Sequence, residues 1–197
     1  KYIPIDESHP LQPQSPYSAS KIGADNMAYS FYNSFDLPLT ILRPFNTYGP
    51  RQSLRAVIPT IITQIASGFK NIKIGDLTTT RDFNYVDDTC EDFINLIHSK
   101  KTKGKIINSG YGKEISILDL CNLIKKLMKR EVNFISEKER LRPKKSEVMR
   151  LCSDNNLRDN LISSKKRQSL SQGLKKTIKW YKNPKNLKNF KSNIYNI

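Results

Sequence analysis

The sequence predicts an α/β fold built around a parallel sheet, and three observations lead there. Short apolar, β-rich runs such as Leu39-Thr40-Ile41-Leu42, closed by Pro38 and Pro44, read as strands buried on both faces. Between such runs lie longer segments whose apolar residues recur at helical spacing, and strands alternating with helices favour a parallel sheet. Several of the helical segments open on residues that cap them, as in Ser15-Pro16, Ser116…Asp119 and Ser169…Gln172. A chain of 197 residues is long enough to bury a sizeable core.

Taken in order, residues 1–14 are polar, carry Pro4, Pro10 and Pro13, and read as a loop. The carboxylate pair Asp6-Glu7 lies in that loop and reads as a surface feature. A helix is expected from Pro16 to about Phe35, because Ser15 can accept its free N–H groups and proline suits the first helical position. Ala24, Ala28, Phe31 and Phe35 would form its buried stripe. Leu39 to Leu42 is the first strand. Ile58 to Ser67 is a helix with Pro59 near its start and Gly68 at its end. Lys70 to Ile74 and Arg81 to Val86 are extended, and Asp88 to Ser99 is a helix with Cys90, Phe93, Ile94 and Ile97 inward. Lys105 to Asn108 is a strand, Gly110-Tyr111-Gly112 a turn, and Ser116 opens a helix that ends near Lys129. Val132 to Ile135 is a further strand. The helix capped by Ser169 and Gln172 carries Leu174, Ile178 and Trp180-Tyr181, and beyond Asn183 a Lys/Asn-rich tail is expected to fray.

The net charge is +16, from 34 basic and 18 acidic residues. The lysines are spread along the chain, and no aromatic-interleaved basic patch or zinc-ligand spacing accompanies them, so nucleic acid is not an expected partner. Cys90, Cys121 and Cys152 are far apart and odd in number, which reads as reduced core thiols of a cytoplasmic protein. No apolar run approaches the roughly 20 residues of a membrane span.

The stretch richest in chemistry is Ser15-Pro16-Tyr17-Ser18-Ala19-Ser20-Lys21. Tyr17 and Lys21 are four apart and share a helix face. A phenol ordinarily ionises near pH ~10, and a neighbouring ammonium favours the phenolate, so such a pair suits a base working near neutral pH. A bare Y-x-x-x-K also fits any amphipathic helix, and it is the flanks that distinguish this one. Pro10-Leu11-Gln12-Pro13-Gln14 precedes the motif and Ile22-Gly23-Ala24-Asp25 follows it. Arg43-Pro44-Phe45-Asn46-Thr47-Tyr48-Gly49-Pro50-Arg51 stands downstream, then Arg81-Asp82-Phe83 leading into Val86-Asp87-Asp88.

Together these phrases resemble the extended short-chain dehydrogenase/reductase family, in its branch of nucleotide-sugar epimerases and 4,6-dehydratases. The nearest likeness is to N-acetylglucosamine-nucleotide 4,6-dehydratases of legionaminic-acid-type pathways. The resemblance runs from about Ile3 to Tyr181. It implies a Rossmann-like doubly wound parallel sheet, of which this chain supplies the C-terminal part, with a smaller α/β substrate-binding lobe. On that reading residues 1–183 form this portion and 184–197 a tail. The sequence begins on Lys1 and holds no G-x-G-x-x-G or G-x-x-G-x-x-G, so the resemblance implies a fragment whose cofactor-binding half lies upstream.

The resemblance also implies roles. Tyr17 is the catalytic base and Lys21 its partner, and both hold the cofactor, which is NAD, with NADP as the alternative. Pro44 and Phe45 approach the nicotinamide, and Asn46 reaches the substrate diphosphate. Arg81 and Arg142 clamp that diphosphate, a task suited to the planar guanidinium fork. Glu147 meets the nucleotide ribose, although relatives often carry Gly-Asp at that point of the Arg142-Pro143…Glu147 phrase. The substrate would be a UDP- or GDP-linked N-acetylglucosamine and the complete protein a homodimer. The residues needed for elimination lie upstream in dehydratases, so a 4-epimerase remains the alternative on the same scaffold. A non-catalytic fragment or assembly partner is the alternative of a different class.

Overall fold

A computed structural model describes residues 1–163 and 166–192. In chain order its elements are α1 (Pro16–Phe35), β1 (Ile41–Pro44), β2 (Asn46–Tyr48), α2 (Val57–Ala66), β3 (Asn71–Ile74), β4 (Thr80–Tyr85) and α3 (Val86–His98). There follow β5 (Ile106–Ser109), β6 (Glu114–Ser116), α4 (Ile117–Met128), β7 (Asn133–Ser136), α5 (Asn156–Leu161), α6 (Leu170–Lys182) and α7 (Pro184–Leu187). The chain forms two compact units. The first holds Lys1–Thr47, Arg81–Glu114 and Pro143–Arg167; the second holds Tyr48–Thr80, Ile115–Arg142 and the chain from Gln168 on. The chain passes from unit to unit within β2, β4 and β6.

In the first unit β1 and β5 pair in parallel, Ile41 to Ile106 through Pro44 to Ser109. Leu96, Ile107 and Ile162 form a buried cluster joined by Leu42, Leu157 and Leu161. Burying each such side chain is worth about 1.5–3 kcal/mol. The opening of α1 is as expected. Ser15 Oγ accepts the Ser18 N–H at 3.1 Å, Ser18 Oγ accepts the Ser15 N–H at 2.9 Å, and Pro16 follows at the first helical position.

In the second unit β3 and β7 pair in parallel, Asn71 to Asn133 through Ile74 to Ser136. The helix α2 packs on β3, α4 and α6. It buries Ile58, Ile61, Ile62 and Ile65, and Leu120 and Ile124 of α4 and Leu174 of α6 are buried as well. Ser116 caps α4 and Ser169 caps α6, the latter in a reciprocal box with Gln172.

The structure corrects four expectations. No residue of α1 is buried; Phe31 and Phe35 are exposed, because helical spacing specifies a face to cover but not a segment that covers it. On α3 the inward residues are Asp88, Thr89, Asp92 and Leu96, while Cys90, Phe93, Ile94 and Ile97 are exposed. There a buried ionic network on Asp92 outweighs the apolar stripe in setting the rotation of the helix. Asp6 and Glu7 are half-buried and bonded: Asp6 Oδ1 accepts from the Tyr2 O–H at 2.7 Å, and Glu7 Oε1 from the Asn108 N–H at 2.7 Å. Finally, Pro184–Leu187 is helical, and Phe190 lies edge-on to Trp180 and Tyr181, at 6.0 and 5.2 Å between centroids. Residues 184–190 are thus held to the end of α6. Of the tail, residues 193–197 lie outside the described residues.

Candidate active site

The capped start of α1 presents Tyr17 and Lys21, one turn apart, to a cavity of about 730 Å³ in the first unit. Its wall also includes Asp25, one further turn along α1, and Leu42, Arg43 and Pro44 of β1. Parts of residues 1–14 and the stretch Val148–Leu151 complete it. The volume lies within the range of about 300–1,000 Å³ usual for small-molecule sites. Pro44 ends a parallel strand, and in open α/β sheets ligands bind beyond such carboxyl ends. The structure therefore gathers Tyr17, Lys21 and Pro44 around one space.

Phe45 and Asn46 continue from Pro44. The Phe45 N–H donates to Ser109 O at 2.8 Å, and Asn46 Nδ2 donates to Asp82 O at 3.3 Å. Arg81 on β4 meets Glu147, Nη2 to Oε1 at 2.8 Å, with both side chains largely buried. Glu147 directly precedes Val148, so this pair stands where the 148–151 wall of the cavity begins. Two of the residues named from sequence, sixty-six apart, are thus brought together. Arg142 belongs to the second unit and is exposed.

Several residues that build the site escaped the sequence reading. Arg43 Nε contacts Asp25 Oδ2 at 2.7 Å, tying α1 to β1 beside Lys21. The signal for Asp25 was present, since it continues the Tyr17/Lys21 spacing by another four residues. Arg150, on the cavity wall, holds Glu114 with both Nε and Nη2. Asp82, fully buried, accepts three backbone N–H groups: Tyr111 at 2.9 Å, Gly112 at 2.9 Å and Ser153 at 3.0 Å. Burial pushes its carboxyl above the ordinary aspartate range, and the three N–H groups pull it back. Gly110 is needed at this turn, because a Cβ would sit 2.4 Å from Ser153 Cβ. Gly112 adopts φ +82°, where L side chains are strained. The Gly-Tyr-Gly turn is therefore a carboxylate-anchored loop.

A second buried network braces β4 from behind. Asp92 takes the Ser109 hydroxyl and the Arg167 guanidinium, with Arg158 Nη1 3.8 Å away. Arg167 also donates to Asn84 Oδ1 at 2.8 Å, and Arg158 to Gly110 O at 2.8 Å. Pairing and bonding of this kind is what keeps such charges tolerable away from water, and among the described residues Arg167 Nε is the atom of the network left buried without a partner. Among the described residues no cluster of His, Cys, Asp or Glu is placed to hold a metal, and no helix is long and apolar enough to cross a membrane. Cys121, a buried thiol, is pushed up to about 12 by burial.

The family model described as GDP-mannose 4,6 dehydratase matches residues 1–179. This chain belongs to the nucleotide-sugar epimerase/dehydratase family of short-chain dehydrogenases/reductases. Within that family it is 34% identical over 185 residues to a putative UDP-glucose 4-epimerase of Methanocaldococcus jannaschii, covering 92% of this chain and 58% of the relative. It is 32% identical over 195 residues to the human dTDP-D-glucose 4,6-dehydratase, covering 95% of this chain and 53% of the relative. The structure of Bacillus cereus UDP-glucuronic acid 4-epimerase with UDP-glucuronic acid and NAD superposes with a TM-score of 0.84 at 29% identity, over 92% of this chain and 57% of that one. The chain spans about half the length of the curated relatives it matches. The Rossmann-like fold expected from the sequence is the fold of these neighbours.

Proposed function

We propose that this chain carries the acid–base and substrate-binding part of an NAD-dependent nucleotide-sugar 4,6-dehydratase acting on a UDP- or GDP-linked N-acetylglucosamine. The observation that carries the reading is the opening of Tyr17, Lys21 and Pro44 into one cavity at the end of a parallel strand. The residues present fit the nicotinamide end of NAD: a phenol, an ammonium and a backbone turn at Pro44-Phe45. The dinucleotide, when bound, supplies the hydride acceptor for C4 and returns the hydride at C6.

The work of the chain is the rest. Tyr17, as phenolate, takes the proton of the sugar 4-hydroxyl while C4 is oxidised. Lys21 keeps positive charge beside that oxygen and holds the nicotinamide ribose. Asn46 and Arg81 hold the diphosphate, and Glu147, which meets Arg81 in an ion pair, is assigned to the nucleotide ribose. The 4-keto group then acidifies C5 for loss of water from C6. A 4-epimerase shares every one of these steps up to the ketone, and the 34%-identical Methanocaldococcus relative favours it as the second reading. A homodimer through α1 accords with the exposed Met27, Phe31 and Phe35.

The test is Tyr17→Phe in the complete, NAD-loaded enzyme. Loss of a general base costs about 10²- to 10⁴-fold in rate, so turnover should fall by that much while nucleotide-sugar affinity stays within threefold. Turnover within threefold of wild type would remove Tyr17 from the chemistry.

A further inference from the structure

Tyr17, Lys21 and Asp25 follow one another at intervals of four along one face of α1, and all three line the same cavity. That spacing makes Asp25 a natural partner for the Lys21 ammonium, since residues four apart on a helix meet and opposite charges there attract. Lys21 is nevertheless without an ion-pair partner among the described residues. Asp25 is held instead by Arg43, Nε to Oδ2 at 2.7 Å, with side-chain exposures of 20% and 21%. The other charged or titratable groups on the cavity wall are Lys1, Tyr2 and His9 from the first segment and Arg150 from the last. Arg150 is taken by Glu114, which leaves Asp25 as the anion nearest in sequence to Lys21 on that wall.

We infer that Arg43 is a positioning residue that sequesters the Asp25 carboxylate and so keeps the Lys21 ammonium available for Tyr17 and the cofactor ribose. The inference deepens the reading of Tyr17 and Lys21 given above and rests on it. Without Arg43, a half-buried carboxylate would be left unpaired, and such a group recruits whatever cation can reach it. Lys21 is one turn away, so its ammonium would be drawn along the helix, away from Tyr17. The same contact read as a mere tie between α1 and β1 makes a different forecast, because either partner's removal would then have the same effect. On the sequestration reading the two removals differ in sign: losing Arg43 harms Lys21, whereas losing Asp25 removes the competitor.

The experiment uses the complete protein to which this chain belongs. Lysine acylation by an N-hydroxysuccinimide acetate at pH 8 is followed by mass spectrometry, with the exposed Lys144 as internal reference and circular dichroism confirming helix content. Arg43→Gln should slow acylation of Lys21 about two- to fivefold, the size of a helical or half-buried ion pair. Asp25→Asn should leave it at the wild-type rate or above, and the Arg43→Gln/Asp25→Asn double variant should restore it. Arg43→Lys, which keeps a cation against Asp25, should stay close to wild type and covers the case in which Arg43→Gln does not fold. An unchanged Lys21 rate in Arg43→Gln, or equal slowing in Asp25→Asn, overturns the inference. These rates do not depend on turnover, so a failure of the Tyr17→Phe test would refute the catalytic reading while leaving the Arg43–Asp25–Lys21 result to stand or fall alone.

Discussion

At the scale of single residues, several charges of the site have a defined partner: Asp25 has Arg43, Arg81 has Glu147, and Asp82 has three backbone N–H groups. Arg81 is the clearest case. The family resemblance implies a diphosphate-binding role for it, a task that suits the planar guanidinium fork, and the structure pairs it with Glu147 with little solvent access. An arginine held in this way enters binding with its side chain already ordered, so little conformational entropy remains to be lost. A charge-assisted contact is worth about 1.5–3 kcal/mol, and about 1.4 kcal/mol is a factor of ten in affinity. Arg81→Ala in the complete enzyme should raise the dissociation constant of the nucleoside diphosphate roughly ten- to a hundredfold, with NAD retention hardly changed. Calorimetric titration decides it, and unchanged affinity would mean that the Arg81 assignment is wrong even with Tyr17 and Lys21 right.

At the scale of elements, local signals were read well and orientations less so. The caps at Ser15, Ser116 and Ser169 set three helix starts, because a side-chain oxygen accepting the first free N–H is a local event. Which face of α3 turns inward is not local: Asp92 faces in because arginines from residues 158 and 167 meet it there. Asp82 shows the same dependence, joining β4 to the turn at residues 111 and 112 and to residue 153. Replacing it by asparagine would point amide hydrogens at backbone donors, and each donor left unsatisfied costs about 1–3 kcal/mol. Asp82→Asn should therefore lower the urea midpoint clearly. The pH dependence has a defined sign. Because burial raises the Asp82 carboxyl in the folded state, its contribution to stability is full below the ordinary aspartate value. It is lost as pH rises through the raised one. The stability gap between wild type and Asp82→Asn should be wider near pH ~3.5 than near pH ~7, and a gap that widens with rising pH would contradict this account.

At the scale of the whole molecule, the chain spans about half the length of the relatives it matches, and we propose that it carries the substrate-facing half of the chemistry. Its eight glycines include no glycine-rich phosphate turn, and such a turn at a helix start is what cradles a dinucleotide pyrophosphate. The 197-residue chain on its own, given NAD and a UDP- or GDP-linked N-acetylhexosamine, should show no turnover. A 4-keto-6-deoxy product seen by NMR would overturn that expectation.

The sequence by itself determined β1, β3, β4, β5 and β7 with α1 to α4 and α6 in their order, the capped opening of α1, and the motif phrases around Tyr17 and Lys21 that mark the family, but not β2, β6, α5 or α7. These are consequences of neighbours along the chain, where propensity, capping and helical period act over a few residues. Only the tertiary structure decided that Asp25 belongs to Arg43, that Arg81 belongs to Glu147, and that the stripe of α1 lies open while α3 turns its acids inward. The reason is physical: a charge or an apolar face states a need for a partner, and which partner meets it depends on segments tens of residues away that only folding brings within reach.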